Sequence, residues 1–194
     1  MIIQSTPYGT KKEEPFAFTY SGDFTDERVD GVGDVTLNTS GTLTVTSGKA
    51  TVQAYILGGG GGGAYYKYND SHFYHASGGG GGQQTVEIEL TQGTYEIVIG
   101  AGGAGKAATS GTSPTASNGG DTTAFGYTST GGEGRRASLP AGGASGGTPN
   151  GSAGSFVDAS SSKNIAGGSP NGGAATSTAS NNKGGNGLVR LTFS

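Results

Sequence analysis

Of the chain's 42 glycines, 36 lie between residues 58 and 187, and that segment constrains what the 194 residues can fold into. Two uninterrupted runs, Gly58–Gly63 and Gly78–Gly82, are followed by Gly-Gly pairs beginning at 102, 119, 131, 142, 146, 167, 172 and 184. Glycine loses more backbone entropy on folding than any other residue, so an ordered stretch of this kind needs many compensating hydrogen bonds. A flexible Gly/Ser linker is the alternative. Strand patterns stand on both sides of the stretch, however, and argue that it is ordered. One backbone solution is polyglycine II, the glycine relative of polyproline II, with three residues per turn and no internal hydrogen bonds. Its N–H and C=O groups point outward and must pair with neighbouring chains. A collagen triple helix is excluded, because glycine does not recur at every third position.

The flanking strands are read from alternation. Val35–Asn38, Leu43–Val45 and Val52–Leu57 are short strands separated by turn residues. Gln84–Leu90 places Val86, Ile88 and Leu90 on one face, and Tyr95, Ile97 and Ile99 resume the alternation after a turn at Thr91–Thr94. That pair reads as a hairpin. Leu188–Phe193 is a final apolar strand, which implies that the chain returns to its starting sheet after the glycine segment. No 3.6-residue periodicity of useful length is present. The expected fold is all-β: a small antiparallel β-sandwich (jelly-roll-like), capped by an ordered glycine-rich region with polyglycine II helices and with essentially no α-helix. Residues 1–34 form an N-terminal segment carrying Phe16, Phe18, Tyr20 and Phe24, and residues 35–194 form the glycine-rich sandwich, with the polyglycine II region at 101–187.

Leu, Ile, Val and Phe supply only 30 residues, too few for an ordinary core, yet the net charge of −3 is not that of a disordered polyelectrolyte. The same charge gives no basic footprint for nucleic acid. No apolar run is long enough to span a membrane as a helix, and Met1–Pro7 lacks the pattern of a signal peptide. There is no cysteine for a disulfide or a thiolate metal site. Gly100-Ala-Gly-Gly-Ala-Gly-Lys106 fits a phosphate-loop pattern in outline. That chemistry needs a helix to begin there, and Ala107 stands where a Mg²⁺-binding hydroxyl belongs. Asp70, His72 and His75 have metal-ligand chemistry but lack a further ligand, and no catalytic carboxylate pair or nucleophile elbow is present. The reading is a non-enzyme with no cofactor and no metal.

Between the two glycine runs lies a segment of different composition. Residues 64–77 hold five of the chain's 16 Phe and Tyr residues: Tyr65, Tyr66, Tyr68, Phe73 and Tyr74, with His72 and His75 among them. Tyrosine gives a large, stiff, amphipathic contact at low entropy cost, which suits a binding surface. The same rings could instead form a small satellite core beneath the glycine helices. The loops 133–140, with Arg135 and Arg136, and 155–165 are weaker candidates of the same kind.

The order of these elements resembles the glycine-rich domain of phage and prophage tail proteins. It runs Val52–Leu57, Gly58–Gly63, an inserted loop, Gly78–Gly82, the strands to Ile99, Gly100–Gly105, then Gly184-Gly-Asn-Gly and a closing strand. The layout is similar to the tail-fibre tip adhesins of T-even-like phages, in which polyglycine II helices carry loops that touch a host receptor. The resemblance implies a virion protein at a tail or fibre tip, exposed on its surface. It would bind a host-surface glycan or protein through Tyr65, Tyr66, Tyr68, His72, Phe73, Tyr74 and His75, with Arg135 and Arg136 as secondary contacts. It also implies attachment to other virion proteins through the N-terminal segment and no membrane insertion, and a homotrimer would suit a fibre end. A purely structural head-fibre or decoration protein without a receptor is the alternative.

Overall fold

Fourteen short strands, and no helix beyond a single helical residue, account for the regular structure of the chain in a computed structural model describing residues 14–138, 144–159, 161, 163–175 and 182–194. Two sheets make the sandwich. One has the order β2 (Phe24–Asp26), β3 (Gly33–Leu37), β14 (Leu188–Phe193), β5 (Ala50–Leu57), β8 (Gln83–Leu90). The other has the order β1 (Ala17–Tyr20), β4 (Gly41–Ser47), β9 (Gly93–Ile97). All six strands read from alternation are present. The closing strand returns as expected, inserted between β3 and β5, with Leu191 opposite both Val35 and Ala54.

The expected hairpin between Gln84–Leu90 and Tyr95–Ile99 does not form. β8 pairs with β5 and β9 pairs with β4, so the Thr91–Gln92 turn crosses from one sheet to the other. Such an arch turns the apolar faces of the two strands toward each other, whereas a hairpin would leave both on one sheet. β3 to β4 and β4 to β5 cross in the same way. The core between the sheets consists of Val35, Leu37, Leu43, Val45, Val52, Ala54, Ile56, Leu90, Ile97, Val189, Leu191 and Phe193. Alternation on half-buried strands delivers one residue in two to this layer.

Part of the segment before residue 35 is built into the same sandwich, since β1 pairs with β4 and β2 with β3. Arg28 locks this end. Its guanidinium is bidentate to Asp26 at 2.8 and 2.6 Å and sits over the rings of Phe18 and Phe193 at 4.9 and 4.7 Å.

At the opposite end of β5, β8 and β14 the strands run straight into glycine. Along Gly58–Gly63 the hydrogen-bond acceptor changes segment at each residue and returns every third. Gly58 and Gly61 donate to Gly82 and Gly79, Gly59 and Gly62 to Gly120 and Ser117, and Gly60 and Gly63 to Gly185 and Asn182, all at 2.7–2.9 Å. Each advance of three on one chain is a retreat of three on its partner, so these neighbours are antiparallel. Bonds that point in three directions in turn require three residues per turn, the period of polyglycine II. The carbonyls of the same run accept from three further segments, through Gly132 and Arg135, Gly103 and Lys106, and Gly173. Six chain segments therefore surround Gly58–Gly63, a hexagonal packing.

Close packing of backbones is the reason for the glycine. A Cβ on Gly60 would lie far inside the van der Waals radius of the Asn171 carbonyl oxygen, with backbone that cannot yield. The lattice thus takes over the role of an aliphatic core, and both long runs are buried throughout. Where a neighbouring backbone is missing, a side chain substitutes for it. Asn118 accepts from Gly134, Asp121 from Gly131, and Asn186 from Gly102, at 2.9–3.0 Å. Among the described residues no buried side-chain nitrogen or oxygen lacks a partner.

Beyond the lattice the chain forms a third, four-stranded sheet in the order β10 (Lys106–Ala108), β6 (Ala64–Asn69), β7 (His72–Ala76), β13 (Phe156–Ala159). Six glycines at roughly 3.1 Å each separate the end of β5 from the start of β6 by about 19 Å. A two-stranded hairpin, β11 (Thr122–Ala124) and β12 (Tyr127–Ser129), lies beside the sandwich.

Candidate functional site

The segment expected as a loop between the glycine runs is a β-hairpin. Ala64 pairs with Ala76, Tyr65 with His75, Tyr66 with Tyr74 and Lys67 with Phe73, and an extra residue at Tyr68 shifts the register before Asn69 meets His72. The hairpin is rooted in the glycine lattice through Gly63 and Ser77, so its first residues are buried and its tip is not. β10 ends opposite Tyr66, so among the described residues Lys67–Asn69 of β6 have no strand partner on that side.

Strand alternation divides the expected site residues between two faces. On one face Tyr66, Tyr68 and Tyr74 form a cluster with ring centroids 5.9–6.3 Å apart. Phe156 of β13 stacks on Tyr74 at 6.3 Å, and His72 lies 6.5 Å from the same ring. Ala116 and Ala137 pack against this cluster from the lattice side. Tyr66 is buried and its hydroxyl donates to the Gly111 carbonyl at 2.7 Å. Tyr74 is also buried, whereas Tyr68 is 61% exposed, the most open aromatic ring among the described residues. His72 is exposed beside it, with Nδ1 3.5 Å from Asp158.

On the other face Tyr65 and His75 pack together at 5.1 Å, both buried. The His75 Nε2 accepts the Lys163 N–H at 3.2 Å, which fixes the proton on Nδ1, and Nδ1 donates to the Ala175 carbonyl at 3.3 Å. Burial holds this imidazole below the usual histidine pKa, against a smaller opposing effect of the Ala175 bond. Farther out, Lys67 pairs with Asp70 at 2.7 Å and lies over the Phe73 ring at 6.0 Å. His72 and His75 belong to opposite faces, so Asp70, His72 and His75 do not converge on one point. No group of three metal-ligating side chains occurs among the described residues.

Arg135 and Arg136 are consecutive residues of the segment beside Gly62, whose carbonyl accepts the Arg135 N–H at 3.4 Å. Arg135 is bound to Glu133 at 2.9 Å, and Glu133 also accepts the Ser145 N–H. That backbone bond, with help from Arg135, lowers the Glu133 pKa below its usual range. Arg136 is exposed in a short bridge opposite Thr115. The Gly100–Lys106 segment starts no helix. The N–H groups of Gly103 and Lys106 donate to Gly60 and Gly63, and those of Gly100 and Gly102 to the side chains of Thr122 and Asn186. Loop 155–165 contributes β13 to the distal sheet, and its residues 160 and 162 lie outside the described set.

The exposed part of the site is therefore smaller than the sequence suggests: Tyr68 and His72, with Asp70, Lys67 and Asp158 around them. Asp158 was not singled out from sequence. Its signal would have been the alternation Phe156-Val-Asp, which places Asp158 on the Phe156 face opposite Tyr74. No curated protein matches the sequence significantly. The sequence profile of the glycine-rich domain family matches residues 36–193, from within β3 to the end of β14, and the chain belongs to that family.

Proposed function

We propose that the chain is a virion tail or fibre-tip protein that binds a host-surface glycan or protein through the tip of the β6–β7 hairpin. The observation that carries this reading is the exposure of Tyr68 on a hairpin held about 19 Å beyond the sandwich by hydrogen-bonded glycine. A ring that is mostly exposed on a rigid stem adds little to the core, and its polar neighbours are placed to orient a ligand. The contact residues are Tyr68 and His72, with Lys67, Asp70 and Asp158 at the rim. Tyr65, Tyr66, Tyr74 and His75 act by holding that tip in place. The opposite reading, a structural virion protein without a receptor, is favoured by the burial of those four rings.

The test uses fluorescently labelled full chain on a panel of bacterial cells, with the Tyr68→Ser/His72→Ala double variant beside it. Saturable binding that falls at least about tenfold in a variant of unchanged melting temperature supports the proposal. Equal binding by the folded variant removes the hairpin tip from the site. Absence of binding to every strain, together with labelling of the particle shell and not its tail, supports the structural alternative.

A further inference from the structure

The formal charge of −3 is divided unequally between the two ends of the molecule. At the distal ends of the glycine rods, or beyond them, lie six of the chain's eleven basic residues: Lys67, Lys106, Arg135, Arg136, Lys163 and Lys183. Only three carboxylates accompany them, Asp70, Glu133 and Asp158, and residues 139–143 and 176–181 add no charge, so this end is at +3. The rest of the described chain holds ten carboxylates against Arg28, Lys49 and Arg190, a net charge of −7. The stem between them, about 19 Å long, exceeds two Debye lengths of about 8 Å at physiological ionic strength. Each end therefore presents its own charge to a partner.

The three distal carboxylates have partners of their own. Asp70 is bound to Lys67 at 2.7 Å, Glu133 to Arg135 at 2.9 Å, and Asp158 faces His72 at 3.5 Å. Lys106, Arg136, Lys163 and Lys183 are exposed and form no ion pair among the described residues.

The lattice sets these four cations in an arc. The rods around Gly58–Gly63 follow one another in a ring, 167–175, 182–187, 100–106, 116–120 and 130–136, and Gly78–Gly82 closes it. Lys183 stands at the distal end of its rod and Lys106 at that of the next. The Asn182 side chain ties the two rods by donating to the Lys106 carbonyl at 3.0 Å. Arg136 ends the rod 130–136, opposite Thr115. Lys163 lies beside the end of 167–175, because the His75 imidazole bridges its N–H and the Ala175 carbonyl.

Cations spread along an arc share no point at which a single small anion would bind, and they match a chain of repeated anionic groups. Lys106 is in register with Ala64, at the root of the β6–β7 hairpin, five residues or about 16 Å below its tip at Asn69. A flat bilayer or a stiff duplex would meet the tip first, whereas a flexible chain can pass around it to the arc. We propose that the distal end docks on an anionic surface glycan, a polysaccharide whose repeat carries phosphate or carboxylate groups. The proposal rests on the receptor reading for which end meets the host, and it names the chemistry met there. The same glycan repels the acidic sandwich, so the molecule approaches tip-first and Tyr68 is brought to its partner by the arc.

The full chain is assayed at pH 7 by biolayer interferometry on immobilised polygalacturonate, poly(glycerol phosphate) and neutral dextran, in about 50 and about 300 mM salt. The expected result is saturable binding to an anionic polymer, weakened by salt and absent on dextran, although the chain as a whole is at −3. The Lys106→Gln/Arg136→Gln/Lys163→Gln/Lys183→Gln variant should keep the native melting temperature and bind at least about tenfold more weakly, with little salt dependence left. Lys106→Gln/Lys183→Gln should give an intermediate loss. The proposal is overturned if neither anionic polymer is bound or if the fourfold variant binds equally. It is also overturned if duplex DNA or phosphatidylglycerol vesicles are bound as tightly as the glycans. Cell binding that is lost in Tyr68→Ser/His72→Ala but ignores salt and the four cations overturns this proposal and leaves the receptor reading standing. Polymer binding through the four cations, in a chain whose cell binding ignores the tip, supports this proposal and removes the tip as the contact.

Discussion

The side-chain oxygen of Asn171 accepts the Gly81 N–H at 2.8 Å, across 90 residues of sequence. The amide nitrogen of the same residue reaches the carbonyls of Gly58, Gly185 and Asn186 at 3.0–3.2 Å. One asparagine side chain therefore takes the place of a peptide group in the lattice and joins both long glycine runs to the segment leading into β14. Asn171→Ala leaves the buried Gly81 donor without a partner. We expect a loss of roughly 1–3 kcal/mol, read from the denaturant midpoint at unchanged slope. Asn171→Asp keeps the Gly81 bond but faces three carbonyls with an acceptor, and should lose a comparable amount.

Gly60 and Gly185 are hydrogen-bonded neighbours whose tolerance should differ widely. Gly60 is enclosed by backbone, whereas a Cβ on Gly185 meets first the Asn171 side chain at 3.1 Å, a contact that small movements relieve. Gly60→Ala should cost at least about 3 kcal/mol or prevent folding, and Gly185→Ala about 1 kcal/mol or less. Equal stability of the two variants by thermal melting would contradict the close packing described.

His75 should make stability fall with acid. The folded chain holds the imidazole neutral, with a pKa below the usual value, while the unfolded chain protonates it near pH 6.5. The unfolded state thus binds more protons, and stability rises with pH through this range. The contribution is complete above the ordinary histidine pKa and is lost as pH falls below it, with a slope approaching about 1.4 kcal/mol per unit. Urea midpoints between pH 5 and 7.5 should show this dependence in the native chain. His75→Phe should flatten the profile, whatever its absolute stability.

Two rings 5.9 Å apart should respond in opposite ways. Tyr68→Ser alters an exposed ring and should change stability by about 0.5 kcal/mol or less. Tyr74→Ala empties the centre of the distal cluster and should cost about 3 kcal/mol. The order of melting temperatures checks the division of the hairpin into a displayed tip and a packed root.

How far the sequence announced this arrangement depends on the element. Val52–Leu57, Gln84–Leu90 and Leu188–Phe193 alternate or run apolar between clear turns, and each is a strand within a residue or two. Whether consecutive strands make a hairpin or an arch is a different matter. Val86-Glu-Ile-Glu-Leu and Tyr95-Glu-Ile have the same pattern in either arrangement, and the choice rests on which pairing buries both faces. The β6–β7 hairpin was hidden because Tyr65 and Tyr66 fill both faces at its root, which erases the polar alternation that marks a half-buried strand. β10 to β12 are three residues each, too short for any period to register.

The threefold return of hydrogen bonds along Gly58–Gly63 gives the scaffold something like a reading frame. Adding or removing three glycines on matched rods would lengthen or shorten the stem and restore every partner. Adding one would rotate all that follows by about 120° and put each donor before the wrong neighbour. Variation in length is thus confined to triplets inside the rods, while the connections beyond them carry no such restriction. A chain built this way can exchange its distal hairpin as a cassette without renegotiating the sandwich beneath.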